Sequence, residues 1–299
     1  MKAPPRRAIV HGAAKINLGW RVGPRREDGY HEVNGLLQSI SLTDRLVIST
    51  DAGDSAGEGV GFCFDIGASV TLRVEGKPEL ESEENLICRA AELIAEKAEP
   101  NMPTTIALEK RVPVAAGLGG GSADAAAALV GLNTVWGARL TASQLVEMGA
   151  DIGSDVPAML IGGLVHASGR GERVKRVGSY TGGWIVIGIG EERVSAAAAY
   201  EALDRLGTDG ASSRVLHHND LERATLELVP GLSDRLATMR DAGGVAFVSG
   251  SGPSVIGVVD SEDAAVRVRS LVASAFGEVV VAQPVDWGVR LVLGAESGQ

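Results

Sequence analysis

The chain reads as an α+β protein of two domains that meet near residues 160–168, with a site between them. Three observations lead there. The chain's 299 residues allow one large domain or two. Strand-like and helix-like segments follow one another without strict βαβ alternation, and no repeat period appears. The stretch V-P-V-A-A-G-L-G-G-G-S-A-D-A-A-A-A-L-V-G-L from Val112 to Leu132 follows a strand pattern and runs into an alanine tract that favours helix.

Composition narrows the class. Apolar residues make up 45% and charged residues 22%, ordinary for a folded protein rather than a disordered one. A formal charge of −10 argues against general nucleic-acid binding, so an anionic substrate needs local Lys, Arg and backbone N–H groups. Cys63 and Cys88 lack C-x-x-C spacing and a histidine cluster, which predicts reduced, partly buried thiols. The N-terminal M-K-A-P-P-R-R has no apolar stretch behind it, and no run approaches the roughly 18 apolar residues of a spanning helix. These features predict a cytoplasmic protein with no membrane or nucleic-acid partner.

Ala8–Leu18 is the first predicted strand, with small residues at 12–14. Arg25–Glu32 is a loop turned by Asp28-Gly29, and Leu36–Leu46 is strand-like again. Residues 51–61 form an acidic, glycine-rich loop without an assigned role. Val70–Val74 is a strand, and a helix begins around Glu83-Glu84-Asn85 with acids in its first turn and runs to about Lys97. Thr104–Leu108 is the strand before the glycines, and the helix after them begins near Ser122 or Ala123. Thr141 is the N-cap of the next helix. Strands at 162–165 and 174–177 frame H-A-S-G-R-G-E, Trp184–Ile189 is a continuous apolar strand, and a helical region starts at Tyr200 after S-A-A-A-A. Asn219 or Asp220 caps a further helix, because the adjacent His217 and His218 lack metal-ligand spacing. Strands at 245–248 and 255–259 flank Ser249–Ser254, an amphipathic helix spans 261–276, and strands at 279–282 and 289–293 finish the chain.

The glycine stretch has the makings of a phosphate site. Glycines let backbone N–H groups converge on a ligand, and the helix that follows directs its positive end to the same place. It is neither a Walker A loop, since no lysine precedes Ser122, nor a G-x-G-x-x-G fingerprint, since Ser122 stands where the third glycine belongs. Ser122 can cap the helix or hold a metal-bound phosphate. Lys15 and Asn17 share one face of an otherwise apolar strand and read as the wall of a site. Asp155, before V-P-A-M-L-I, is a helix cap or, beside Lys15, a candidate base. Tyr30 and His31 suit a flat heterocycle but could equally be a loop tucked onto the core. The Ser249–Ser254 turn is a plain hairpin or a loop that closes on phosphates.

Taken together and in order, A-K-I-N-L (14–18), D-G-Y-H (28–31), N-L-I-x-R-A (85–90), K-R-V-P-V-A-A-G-L-G-G-G-S-A-D-A-A-A (110–127), G-S-D-V-P (153–157), N-D-L-E (219–222) and S-G-S-G-P-S (249–254) resemble the GHMP kinases over almost the whole chain. The resemblance implies a two-domain α+β fold, residues 1–166 and 167–299, with the active site in the cleft between. It implies ATP and Mg²⁺ as cofactors, with the metal's protein ligand unassigned. For ATP it implies Asn85, Leu86 and Lys110 on the adenine side. The loop Pro113, Val114, Ala115, Ala116, Gly117, Leu118, Gly119, Gly120, Gly121, Ser122 and Ala123 would cradle the phosphates. Lys15 and Asp155 would be catalytic, and Asn17, Tyr30, His31 and Tyr200 would bind the acceptor. D-G-Y-H with A-K-I-N-L implies an acceptor carrying cytosine, a cytidylyl-methylerythritol phosphorylated on its 2-hydroxyl. The S-A-A-A-A run before Tyr200 is blander than the family's pattern there.

Overall fold

The computed structural model describes residues 3–50, 62–207 and 216–293. The acidic loop at 51–61 and the side chain of Cys63 lie outside the described residues.

Two strands of 19 residues, β1 (Arg7–Arg25) and β2 (His31–Ser49), form the hairpin on which the rest is hung. The D-G turn at its tip works as expected: Asp28 Oδ1 accepts the Tyr30 N–H at 3.1 Å, and Gly29 takes a φ of 83°. Both strands are longer than their sequence patterns indicate, because pairing on both edges stabilises their polar ends. The first half of β2 pairs with β6 (Leu164–Gly169), and its second half pairs with β5 (Thr104–Glu109). Beyond β5 lie β4 (Ser69–Val74) and β3 (Phe62–Asp65), and β13 (Val289–Leu293) closes the other side against β1. β7 (Arg173–Gly178) pairs with β6, and β9 (His218–Asn219) runs parallel to β1. Chain from either side of residue 166 therefore hydrogen-bonds into one sheet.

A second, antiparallel sheet has the order β10 (Val245–Val248), β11 (Val255–Val259), β8 (Trp184–Ile189), β12 (Glu278–Ala282). The continuous apolar run of β8 is explained by burial on both faces. Val186 packs with α7 (Leu232–Asp241) and α8 (Glu262–Val272), while Ile185, Ile187 and Ile189 face Ile16, Leu18, Val112 and Leu118. The second sheet is thus pressed onto β1 and the glycine stretch. On the far side, α1 (Leu86–Ala98) and α2 (Gly120–Val135) cover Val10, Leu46, Ile48 and Ile106. Small residues let α2 be buried nearly all round.

Three helix starts differ from expectation. α1 begins at Leu86 with Asn85 as N-cap, its Oδ1 accepting from the Ile87 N–H at 3.0 Å, so Glu83 and Glu84 stand before the helix rather than in its first turn. α2 begins at Gly120, and Ser122 lies inside its first turn instead of capping it. α5 (Ala196–Leu206) starts after Ser195, which caps it through the Ala198 N–H at 3.1 Å, so Tyr200 sits in mid-helix. Thr141 does cap α3 (Ala142–Ile152), with Gln144 returning the bond.

Candidate active site

The glycine stretch lines a cavity of about 350 Å³. Asn85, Leu86, Lys110, Pro113, Val114, Ala115, Ala116, Gly117, Gly119, Gly120, Gly121 and Ser122 all reach it. Leu118 and Ala123 do not; their side chains are buried in the cores on either side. The opening turn of α2 leaves backbone N–H groups without acceptors inside the helix, and they stand at this cavity. Such a donor set suits phosphate oxygens.

Lys110 is anchored beneath the cavity. Its buried ammonium contacts Asp44 and lies 3.0 Å from Asp124. Asp44 Oδ1 also accepts the Val112 N–H at 2.8 Å and the Arg111 N–H at 2.6 Å, tying the chain into the glycine stretch. Burial opposes the Lys110 charge, but Asp124 and Asp44 outweigh it and hold its pKa above the ordinary lysine value. Burial likewise pushes the Asp124 carboxyl well above its usual range, against the pull of Lys110. Neither carboxylate is legible as a partner from the sequence, since Asp44 lies 66 positions away from Lys110.

Lys15 and Asn17 do share a face. The Lys15 ammonium donates to Asn17 Oδ1 at 2.7 Å and to the Gly117 carbonyl at 3.1 Å, and it lies 3.6 Å from Asp155 Oδ2. Asp155 occupies the N-cap position of α4 (Val156–Ile161) yet makes no side-chain cap bond, so its carboxylate is left to Lys15. The Ser249–Ser254 turn is not a free hairpin. Ser249 Oγ donates to the Gly117 carbonyl at 3.1 Å and accepts the Asn17 N–H at 3.3 Å. Asn219 supports this turn through donations to the carbonyls of Val248 and Gly250 at 2.8 and 2.7 Å. The N-D-L-E motif therefore serves the site, although the sequence suggested only a cap; Asn219 Oδ1 does also accept the Leu221 N–H. His218 bonds Asp220 rather than forming a metal cluster, and among the described residues no group of His, Cys, Asp and Glu could hold a metal ion by itself.

A second cavity of about 310 Å³ is lined by Tyr30, His31, Tyr200 and Asp204, with Ser154, Arg25 and Arg170 at its wall. The His31 ring stacks on Tyr200 at a centroid distance of 5.0 Å, and Tyr200 Oη accepts from Trp20 Nε1 at 3.2 Å. Burial raises the Tyr200 phenol to about 12, so it stays protonated. Arg170 lies over the exposed Tyr30 ring at 5.2 Å. Lys15 touches Gly117 of the first cavity and Asp155 follows Ser154 of the second, so the ion pair stands between them.

Comparison with known proteins identifies the family. Residues 85–163 match the GHMP kinases N terminal domain and residues 199–278 match the GHMP kinases C terminal. The chain is 36% identical to the 4-diphosphocytidyl-2-C-methyl-D-erythritol kinase of Rhodococcus jostii, over 98% of each chain. A crystal structure of 4-(cytidine 5'-diphospho)-2C-methyl-D-erythritol kinase superposes with a TM-score of 0.72 at 32% identity, covering 92% of this chain and 98% of that one. Homoserine kinase from Cytophaga hutchinsonii reaches the same TM-score at 18% identity, covering 98% of this chain and 99% of that one. The fold alone therefore does not separate acceptors, whereas sequence identity does. By sequence and by fold, this chain belongs to the GHMP kinase family, among the 4-diphosphocytidyl-2-C-methyl-D-erythritol kinases.

Proposed function

We propose that this enzyme transfers the γ-phosphoryl group of ATP to the 2-hydroxyl of 4-diphosphocytidyl-2-C-methyl-D-erythritol, a step of the non-mevalonate route to isopentenyl diphosphate. The observation that carries the reading is the Lys15–Asp155 pair between a glycine-lined cavity and a second cavity with aromatic walls. Phosphoryl transfer asks mainly for positioning and charge neutralisation, and these residues supply both.

In this reading the loop from Pro113 to Ala123 and the first turn of α2 hold the ATP phosphates, and Asn85, Leu86 and Lys110 border the adenine side. Tyr30 and His31 bind the cytosine, with Tyr200 behind His31, and Arg170 and Arg25 take the diphosphate on its way to Asp155. Asp155 orients the acceptor hydroxyl and receives its proton. Lys15, held by Asn17, neutralises charge on the transferring group. Mg²⁺, when bound, would neutralise phosphate charge, and the Ser122 hydroxyl at the cavity wall would be the protein oxygen placed to hold it. A phosphate-bound ion with few protein ligands fits the absence of a cluster of metal-binding side chains among the described residues. No helix among the described residues is long and apolar enough to cross a membrane, and the charge of −10 supports a small-molecule rather than a nucleic-acid partner in the cytoplasm.

The test is coupled ADP release with ATP, Mg²⁺ and the cytidylyl acceptor, run beside homoserine and mevalonate. Release with the cytidylyl acceptor alone supports the reading. Release only with another acceptor keeps the kinase and discards the cytosine cavity. Silence with all three, despite ATP binding, would make the chain a nucleotide-binding regulatory relative.

A further inference from the structure

His31 is buried, and its partner is a residue that no sequence motif marks. Its Nε2 lies 2.8 Å from Oδ1 of Asp204, and its ring stacks on Tyr200 with an interplanar angle of 21°. Tyr200 and Asp204 are four residues apart on α5, so one helix face supplies both the ring's support and its hydrogen-bond partner. The other oxygen of Asp204 lies 3.8 Å from the Arg25 guanidinium, and Arg25 is the residue paired with His31 across the hairpin. Three elements thus hold one carboxylate against one ring nitrogen.

A carboxylate accepts hydrogen bonds, so the neutral ring carries its proton on Nε2 and keeps a lone pair on Nδ1. Among the described residues no hydrogen bond to Nδ1 is present, and the ring borders the cavity with Tyr30, Arg170 and Glu201. We propose that Asp204 is a specificity-determining positioning residue: by fixing the Nε2–H tautomer of His31, it presents Nδ1 as an acceptor for the amino group of a 4-aminopyrimidine and selects cytosine over uracil. Uracil carries an oxygen where cytosine carries the amine, and that oxygen would face the Nδ1 lone pair with no proton between them. The inference rests on the cytidylyl reading above and adds the residue that sets the choice of base.

The experiment compares kcat/KM for the cytidylyl acceptor and its uridylyl analogue in the wild type, Asp204→Ala and Asp204→Glu. Alongside, the ring nitrogens of His31 are followed by ¹⁵N NMR under mildly alkaline conditions. Losing one buried hydrogen bond and facing two acceptors together predicts a wild-type preference for cytidylyl of about a hundredfold, falling about tenfold in Asp204→Ala. Asp204→Glu should restore part of it. The Nδ1 resonance should be that of an unprotonated nitrogen in the wild type and shift toward a mixture of tautomers in Asp204→Ala. An unchanged base preference in Asp204→Ala, or a proton on Nδ1 in the wild type, overturns the inference. Wild-type silence with both acceptors would remove the cytidylyl reading and the base selection with it, while the ring resonances separately decide whether Asp204 sets the tautomer.

Discussion

Nζ of Lys15 stands 3.6 Å from Oδ2 of Asp155, and the lysine side chain is only 7% exposed. A cation this buried needs partners, and Asn17 Oδ1 and the Gly117 carbonyl complete its shell. Lys15→Met and Asp155→Asn should each lower kcat by about 10²–10⁴-fold, because positioned acid–base and charge-stabilising groups are worth that much. Binding of a fluorescent ATP analogue should be largely kept. Near-normal turnover in either variant would remove the pair from the chemistry.

Gly250 lines neither cavity, yet a side chain there would press on Lys15. Its φ is 56°, and an added Cβ would lie 2.9 Å from Asn17 Oδ1 and 3.2 Å from Lys15 Nζ. Gly250→Ala should cost about 1–3 kcal/mol in stability from backbone strain and also lower kcat. Gly243→Ala is the control: φ is 105° there, with nothing within 4 Å of an added Cβ. It should carry the strain without the kinetic loss, and equal kinetic losses in the two variants would sink the proposed link to Lys15.

Lys110→Met leaves Asp44 and Asp124 facing each other in a buried site, so denaturant unfolding should report a loss of about 3–5 kcal/mol at neutral pH. Because the folded-state pKa of Lys110 is raised, its stabilising contribution is fully present below the ordinary lysine value of 10.5 and is lost as pH rises through the folded value. The gap between wild type and variant should narrow in strongly alkaline solution as Lys110 loses its proton, and also toward acid, where the raised Asp124 carboxyl takes up a proton and no longer needs the cation. A gap that, as pH rises, has already closed by about pH 9 would contradict a raised lysine pKa.

Burial, followed by the charges of Glu92 and Glu83, lifts the Cys88 thiol to about 12. Almost no thiolate exists at neutral pH, and the side chain is covered. Iodoacetamide labelling mapped by mass spectrometry should leave residue 88 unmodified in the folded enzyme and modify it after denaturation. Rapid labelling of the native protein at that residue would mean that the first turn of α1 opens readily.

Residue type and spacing carried much of this protein. The glycine run before a tract of alanines announces backbone donors at a helix start, and period two on β1 puts Lys15 and Asn17 side by side. D-G makes the hairpin tip through the Asp28 side chain and a left-handed glycine. Helix starts were less legible. Ser122 looked like a cap, but Gly119 in a left-handed conformation opens α2 at Gly120, and glycine conformation is set by packing rather than by a side-chain signal.

What only the tertiary structure decided is which distant groups meet. Asp44 with Lys110, Ser249 with Gly117, Asn219 with Gly250 and Asp204 with His31 are joined across 66, 132, 31 and 173 positions. Local propensity does not encode such pairs: Asp44 meets Lys110 where β2 pairs with β5, α5 brings Asp204 to His31, and the turn between β10 and β11 brings Ser249 to Gly117 and Gly250 to Asn219. The sequence by itself determined the glycine loop, the lysine and the aspartate as candidates; tertiary contacts between distant segments decided what holds each of them in place, because only folding brings those segments together.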